Sequence, residues 1–446
     1  MITSLLFLCD LCGEKEVLSM KNIVIIDGVR TPYAKAGTVF KDVAADALGA
    51  FVIKEIVART GIDPRIVDEV IVGNAGMPAE AANIARVIAL RAGIPQPVPA
   101  YSVQRNCASG MQALSSAYAQ IASGFSDIAL TAGVESMSNF GFYTTKRLKE
   151  IFTAIGRSKT LLGKIRAGLS IRPPDLVPVV GLTLGLTDPV SGFNMGQTAE
   201  NLVRDFGISR KEQDEFSLWS HQKWSAANEA GKFRNEIATF YVPPKFDAVE
   251  EDVGPRKHQT MDDLEKLKPY FDRKTGTVTP GNSSPITDGA AAALVMSENR
   301  AGELGLRPLG RIRAFAYAGL DPSRMGLGPV FATHKVLKAA SMKLADIELL
   351  ELNEAFAAQV IACEKTAVSG EFFRKHLPGE QPIGEFRRDI VNVNGGAIAV
   401  GHPVGSSGLR IVITLLKEME RRGLSVGLAT MCIGGGQGGA MIVERI

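Results

Sequence analysis

Along most of the chain, short runs of consecutive apolar residues alternate with longer stretches in which apolar positions return every three or four residues. The first pattern marks strands buried on both faces, the second amphipathic helices. Lys21–Asp27 reads as a strand and Asp42–Thr60 as a helix that stops at Gly61. Asp63-Pro64 then turns the chain into a strand over Val67–Gly73 that reaches Asn74. Val98–Val103 forms the next strand and breaks into a helix of small residues, Ala108–Ala122, followed by a strand over Ile128–Gly133.

The second half repeats this order. Phe331–Ser341 is helical, Leu344-Ala345-Asp346 turns, and Ile347–Leu352 is a strand reaching Asn353. The strand before Cys107 has a counterpart before Gly395, and Ile128–Gly133 has one in Val426–Cys432. The pattern predicts an internally duplicated α/β unit whose sheets are buried between helices and whose functional groups come from both halves.

Length and composition narrow the class. A chain of 446 residues exceeds one ordinary core and predicts two domains or one large double domain. A formal charge of +3 gives no case for nucleic acid as a partner. Five scattered cysteines do not form a disulfide framework and suit a reducing, cytoplasmic compartment. Neither a Walker sequence nor a clustered set of metal ligands appears. Gly434, Gly436 and Gly439 satisfy G-x-G-x-x-G, but without a following βαβ unit or a suitably spaced acidic residue the match is accidental.

The chemistry gathers at strand ends. Cys107 lies between a strand and the start of a helix, where unpaired N–H groups and the helix dipole favour thiolate, so its pKa is expected to fall. Ala108, Ser109 and Gly110 leave room for a substrate carbonyl. A lone cysteine there would more often be a packed structural thiol. Downstream, however, His402 sits in a glycine-rich turn, Cys432 precedes a second glycine cluster, and Asn353 follows an apolar strand. Two cysteines, a histidine and an asparagine in such settings are the parts for acyl transfer through a thioester. For Asn353 alone, capping the next helix is the competing role.

Six motifs occur in order: Val29-Arg30-Thr31-Pro32, Gly133-Val134-Glu135-Ser136-Met137-Ser138, Gly281-Asn282-Ser283-Ser284, Asn353-Glu354-Ala355-Phe356, Gly401-His402-Pro403 and Cys432-Ile433-Gly434-Gly435-Gly436. Together they closely resemble the thiolase family, the acyl-CoA C-acyltransferases, from Met20 to Ile446. The resemblance implies a duplicated α/β fold, layered α-β-α-β-α, with a loop domain inserted in the N-terminal half. It divides the chain into a thiolase N-terminal domain over 20–300, containing a lid over 139–270, and a C-terminal domain over 308–446. Residues 1–19 precede it and read as a dispensable extension. The Cys9 and Cys12 pair there has neither a zinc partner pair nor a redox context.

By the same resemblance, Cys107 carries the acyl group, His402 activates it, and Cys432 moves the second proton. Asn353 positions a water that, with His402, binds one oxyanion. The backbone N–H groups of Cys107 and Gly434 bind the other. Leu186, Met195, Ser284 and Phe356 line the path of coenzyme A, which is a co-substrate; no cofactor is bound permanently and no metal is implied. Asn194 stands where short biosynthetic thiolases have histidine, which weakens acetoacetyl-CoA as the preferred substrate and leaves longer 3-ketoacyl-CoA open.

The insertion carries its own signal. Gly141–Val180 holds eight Lys or Arg against two acidic residues, with apolar residues interleaved, as in a basic amphipathic helix on a membrane surface or against acidic ligands. A solvated helical face is the competing reading. This segment and Thr366–Phe386 exceed the short biosynthetic enzymes and look more like thiolases of β-oxidation complexes, which meet a hydratase/dehydrogenase partner subunit or a membrane. The family also implies a homodimer or homotetramer. The expected activity is thiolytic cleavage of 3-ketoacyl-CoA in fatty-acid β-oxidation. The alternatives are biosynthetic acetyl-CoA C-acetyltransfer that makes acetoacetyl-CoA, and a non-catalytic acyl-CoA or lipid-binding relative. The second thiol argues against pure binding and against decarboxylating ketosynthases.

Overall fold

The computed structural model describes residues 21–446, so the 1–19 extension and its Cys9 and Cys12 lie outside the described residues. The principal elements of the first half are β1 (Ile23–Arg30), α1 (Ala45–Thr60), β2 (Glu69–Gly73), α2 (Ile84–Arg91), β3 (Ala100–Val103), α3 (Ser109–Ala122) and β4 (Ile128–Glu135). The insertion contributes α4 (Lys146–Arg157), α5 (Leu161–Gly168), α6 (Met195–Phe206) and α7 (Arg210–Glu229), and the half closes with β5 (Thr287–Ser297). The second half runs β6 (Gly310–Gly319), α8 (Gly328–Ala340), β7 (Leu349–Leu352), α9 (Ala357–Ala367), α10 (Val404–Arg422), β8 (Val426–Ile433) and β9 (Gln437–Glu444).

The predicted duplication is explicit in the pairing. In the first half β3 and β4 flank β2 in parallel, and β5 joins β4 to β1 antiparallel. In the second half β7 pairs β8 in parallel, and β9 joins β8 to β6 antiparallel. The halves meet edge to edge through two residue pairs of β1 and β6, Val24 with Arg311 and Ile25 with Gly310. One correction concerns the strand expected before Gly395. The counterpart of β3 is reduced to a single bridge between Val391 and Leu350, because the chain turns at once through Asn392 at φ 44°.

Three apolar cores account for the layers. One lies between α1 and α2 and the N-terminal sheet, one between α8 and α9 and the C-terminal sheet, and the third around α3 and α10 between the two sheets. The result is the expected α-β-α-β-α order. Every residue of α10 from Gly405 to Met419 is buried, because this helix has protein on all sides. A Cβ at Gly405 would lie 2.3 Å from the carbonyl of Val134, so only glycine lets the start of α10 come this close to the end of β4.

The insertion is tied to the core by charge. Arg30, on β1, is buried and pairs with Glu236 at 2.6 Å and with Asp252 at 2.5 Å. Removing one partner of such a buried set leaves an uncompensated charge, so these contacts fix where the insertion sits.

Candidate active site

The chain leaves β3 through a tight turn, Asn106–Ala108, before α3 begins. Asn106 there adopts φ 43°, a left-handed conformation that asparagine tolerates better than most residues. The turn puts Cys107 at the interface of the halves, where the backbone N–H groups of Gly434 and of Cys107 itself favour the thiolate. The Asn106 Nδ2 donates to the carbonyl of Gly434 at 2.8 Å. The Cys107 turn and the glycine cluster after Cys432 therefore meet.

The expected fall in the Cys107 pKa is not what the surroundings produce. The residue keeps some accessible surface, but burial of its sulfur pushes the thiol up and outweighs the two N–H donors; the Glu135 carboxyl adds in the same direction. Helix-terminus stabilisation is the smaller effect because the protein around the sulfur removes water from it. Cys432, 1 % exposed on β8, is raised well above the ordinary thiol range by burial and then by Cys107 and Cys363, so the two thiols are close enough to sense each other's charge.

His402 occupies the turn before α10 and is buried. Its Nδ1 lies 2.6 Å from the Ser407 Oγ, and that hydroxyl donates to the Pro403 carbonyl at 3.0 Å. With its proton committed, Ser407 can only accept from His402, which fixes the imidazole hydrogen on Nδ1 and leaves a bare lone pair on Nε2. Nε2 has no hydrogen-bond partner. Burial, with Arg410 nearby, lowers the His402 pKa to about 3, so the resting ring is neutral, with its Nε2 lone pair open.

Asn353 follows β7 and is 1 % exposed, with its N–H donated to the Thr430 carbonyl at 3.0 Å. Neither side-chain atom has a partner. The competing role as a helix cap does not hold, because α9 starts only at Ala357, with Phe356 in the capping position. A buried amide without partners is costly unless something is to be bound there.

The four residues carried over for coenzyme A also converge. Met195 and Phe356 pack in one apolar cluster with Cys432. The Leu186 carbonyl accepts from the Met195 N–H at 3.0 Å, and the Ser284 N–H donates to the Ala355 carbonyl at 3.0 Å, beside Phe356. Asn194 caps α6: its side chain accepts from the Gln197 N–H while the Gln197 side chain accepts from the Asn194 N–H. Its side-chain oxygen is thus spent on the helix. Gly434, Gly436 and Gly439 fall in the β8–β9 hairpin and the strand after it, with no helix following.

Several supporting residues had gone unassigned. Glu354 accepts from the Ser220 hydroxyl at 2.6 Å, Asn392 Nδ2 at 2.8 Å and the Ile398 N–H at 3.2 Å, fixing the loop before His402. Glu135 accepts from Asn74 Nδ2 and from the N–H groups of Ala75, Gly76 and Gly405. Both glutamates lie inside recognised motifs, yet their partners are remote in sequence. Ser407 offered the one local signal, a hydroxyl in the first turn of the helix after His402. Cys363 is buried and donates to the Gly326 carbonyl, a structural thiol.

Known proteins share the sequence pattern and the fold. Family models described as "Thiolase, N-terminal domain" and "Thiolase, C-terminal domain" match residues 23–299 and 306–445. A 3-ketoacyl-CoA thiolase of Yersinia enterocolitica is 41% identical over 423 residues, 95% of this chain and 96% of that one. Among solved structures, an acetyl-CoA acetyltransferase of Bacillus anthracis superposes with a TM-score of 0.84 at 38% identity, covering 96% of this chain and 99% of that one. The human mitochondrial 3-ketoacyl-CoA thiolase in complex with CoA gives 0.82 at 34% identity, covering 96% and 98%. The chain belongs to the thiolase family and is an acyltransferase.

Proposed function

We propose that this chain cleaves 3-ketoacyl-CoA with coenzyme A in the degradative direction, as in fatty-acid β-oxidation. The observation that supports the reading is a buried His402 whose Nε2 has no partner and a buried Asn353 amide without partners, with Cys107 and Cys432 both pushed up by burial. In the resting state both thiols keep their protons. As substrate binds, the Cys107 proton passes to His402 Nε2 and the sulfur attacks the 3-keto carbon. The oxyanion is held by the N–H groups of Cys107 and Gly434, and donors of this kind are worth about 3 kcal/mol each. The C2–C3 bond then breaks, and the departing enolate takes the Cys432 proton and leaves as acetyl-CoA. Cys432 is recharged by CoA-SH, whose thiolate attacks the acyl thioester. His402 returns its proton to Cys107. While the C2–C3 bond breaks, His402 and a water on Asn353 hold the thioester oxygen of the substrate, where the enolate charge develops.

In this proposal residues 20–300 and 308–446 are the two thiolase halves and 139–270 is the lid over the pantetheine arm. The test is intact mass after brief exposure to 3-ketoacyl-CoA without free CoA, for wild type and Cys107→Ala. An acyl adduct on wild type alone, discharged by CoA, is expected. Its absence on folded wild type across short and long chains would leave the binding-protein reading. A chain-length panel separates the degradative reading from acetoacetyl-CoA synthesis.

We extend the proposal to an anionic lipid surface as the docking partner of α4 and α5. Leu161, Leu162 and Leu169 are 76, 78 and 81% exposed beside the basic residues of this hairpin. Among the described residues no helix is long and apolar enough to cross a membrane, so contact would be peripheral. Deleting 141–180 should abolish binding to anionic vesicles; unchanged binding, or none by the intact protein, rejects the lipid surface.

A further inference from the structure

The two residues before the nucleophile both reach across the interface between the halves to one hairpin. Asn106 Nδ2 donates to the Gly434 carbonyl at 2.8 Å. Arg105 donates through a terminal nitrogen to Gln437 Oε1 at 3.1 Å and through Nε to Gln112 Oε1 at 2.7 Å. Its guanidinium lies over the Tyr317 ring, 4.0 Å from the centroid. The hairpin between these anchors contains Gly435 and Gly436, at φ 86° and 76°. Such a segment has little stiffness of its own, yet it carries the Gly434 N–H, which favours the Cys107 thiolate.

We propose that Arg105 and Asn106 are positioning residues that clamp the β8–β9 hairpin so that the Gly434 N–H stays aimed at the Cys107 sulfur and at the oxyanion formed there. Asn106 is the more direct arm, because it grips the carbonyl of the same residue whose N–H is used. It also suits the position twice over, since its side chain supplies the donor and its backbone tolerates φ 43°. Asn106 is exposed, so this hydrogen bond adds little to stability, and the effect of losing it is geometric. A misplacement of about 1 Å in such a donor costs about a hundredfold in rate.

The inference rests on the thiolase reading of the site, and the test separates the two. Asn106→Gly keeps the backbone free to adopt positive φ while removing the donor. Asn106→Asp keeps the shape and sets a carboxylate against the Gly434 carbonyl. Both should lower kcat by about a hundredfold, with the KM for acyl-CoA and the thermal midpoint unchanged. Alkylation of Cys107 by iodoacetamide should shift to higher pH in both, because the thiolate loses a donor. Gln437→Ala, which frees the Arg105 arm from the other side, should produce a smaller loss in the same direction. Wild-type kcat and an unshifted alkylation profile in Asn106→Gly and Asn106→Asp would overturn the clamp. If wild type forms no acyl adduct, the thiolase reading fails instead, and the alkylation profiles still decide whether Asn106 controls the Gly434 N–H.

Discussion

The two copies of the α/β unit set polar residues at corresponding points and use them in opposite ways. β2 runs out at Asn74 and β7 at Asn353. Asn74 spends its amide donor on structure: its Nδ2 donates to the Val134 carbonyl at 2.9 Å and to Glu135 Oε1 at 3.0 Å, and its Oδ1 alone has no partner. Asn353 keeps both side-chain atoms without partners. β4 ends on Glu135, a carboxyl with four N–H donors, one of them at the start of α10 in the other half. The register of the parallel pairs gives Cys432, on β8, as its counterpart. The turns into the two central helices carry Cys107 in one copy and His402 in the other, and because α3 packs on α10 the pair is brought together. The N-terminal copy thus commits its side-chain donors and carboxylate to holding the halves in place, while Asn353 in the C-terminal copy commits neither side-chain atom.

Replacing residues at matched positions should separate the two uses. The largest effect belongs to the pair from the two turns. Cys107→Ala should abolish turnover, and His402→Ala should lower kcat by about 10²–10⁴-fold, measured by release of acetyl-CoA in steady state. Next come the two asparagines. Asn353→Ala should lower kcat by about a hundredfold with an unchanged thermal midpoint. Asn74→Ala should instead destabilise by about 1–3 kcal/mol in urea unfolding, with kcat per folded molecule retained. If Asn74→Ala cut kcat as deeply as Asn353→Ala in fully folded protein, the division of labour would not exist.

The duplication was legible in the sequence because buried parallel strands are short apolar runs, and those runs recur in the same order. The candidate residues were legible because each lies at a strand end or in a glycine-rich turn. What could not be read was whatever depends on partners far away in the chain. The pKa of Cys107 turned on burial by the other half rather than on its local helix terminus. The bridge at Val391 replaced a strand because the turn at Asn392 begins immediately, and the Asn392 Nδ2 is drawn to the Leu352 carbonyl and to Glu354. Asn353 is not a cap, because three more residues separate it from the first turn of α9. The fixed tautomer of His402 likewise needed the Ser407 to Pro403 hydrogen bond to be seen.

The smallest effect concerns Glu135, and it probes the structural side of the comparison. Burial pushes this carboxyl up to about 7, against the pull of its N–H donors toward the charged form. Because the folded value is raised, its contribution to stability is fully present below the ordinary value of 4.5 and is lost as pH rises through about 7. Glu135→Gln removes the titration and turns one NH₂ toward backbone donors, a cost of about 1–3 kcal/mol at every pH. The variant should therefore be less stable in acid, with the gap to wild type closing as the wild-type carboxyl ionises. Urea unfolding of both proteins from about pH 4.5 to about pH 8 reads this directly. A gap that stays constant across that range would mean that the four donors outweigh burial and that Glu135 is an anion throughout. The N-terminal copy would then be holding a fixed negative charge near Cys107. The thiol would have to be activated against that charge as well as against burial, which would make the Gly434 N–H more important to the nucleophile than the neutral arrangement requires.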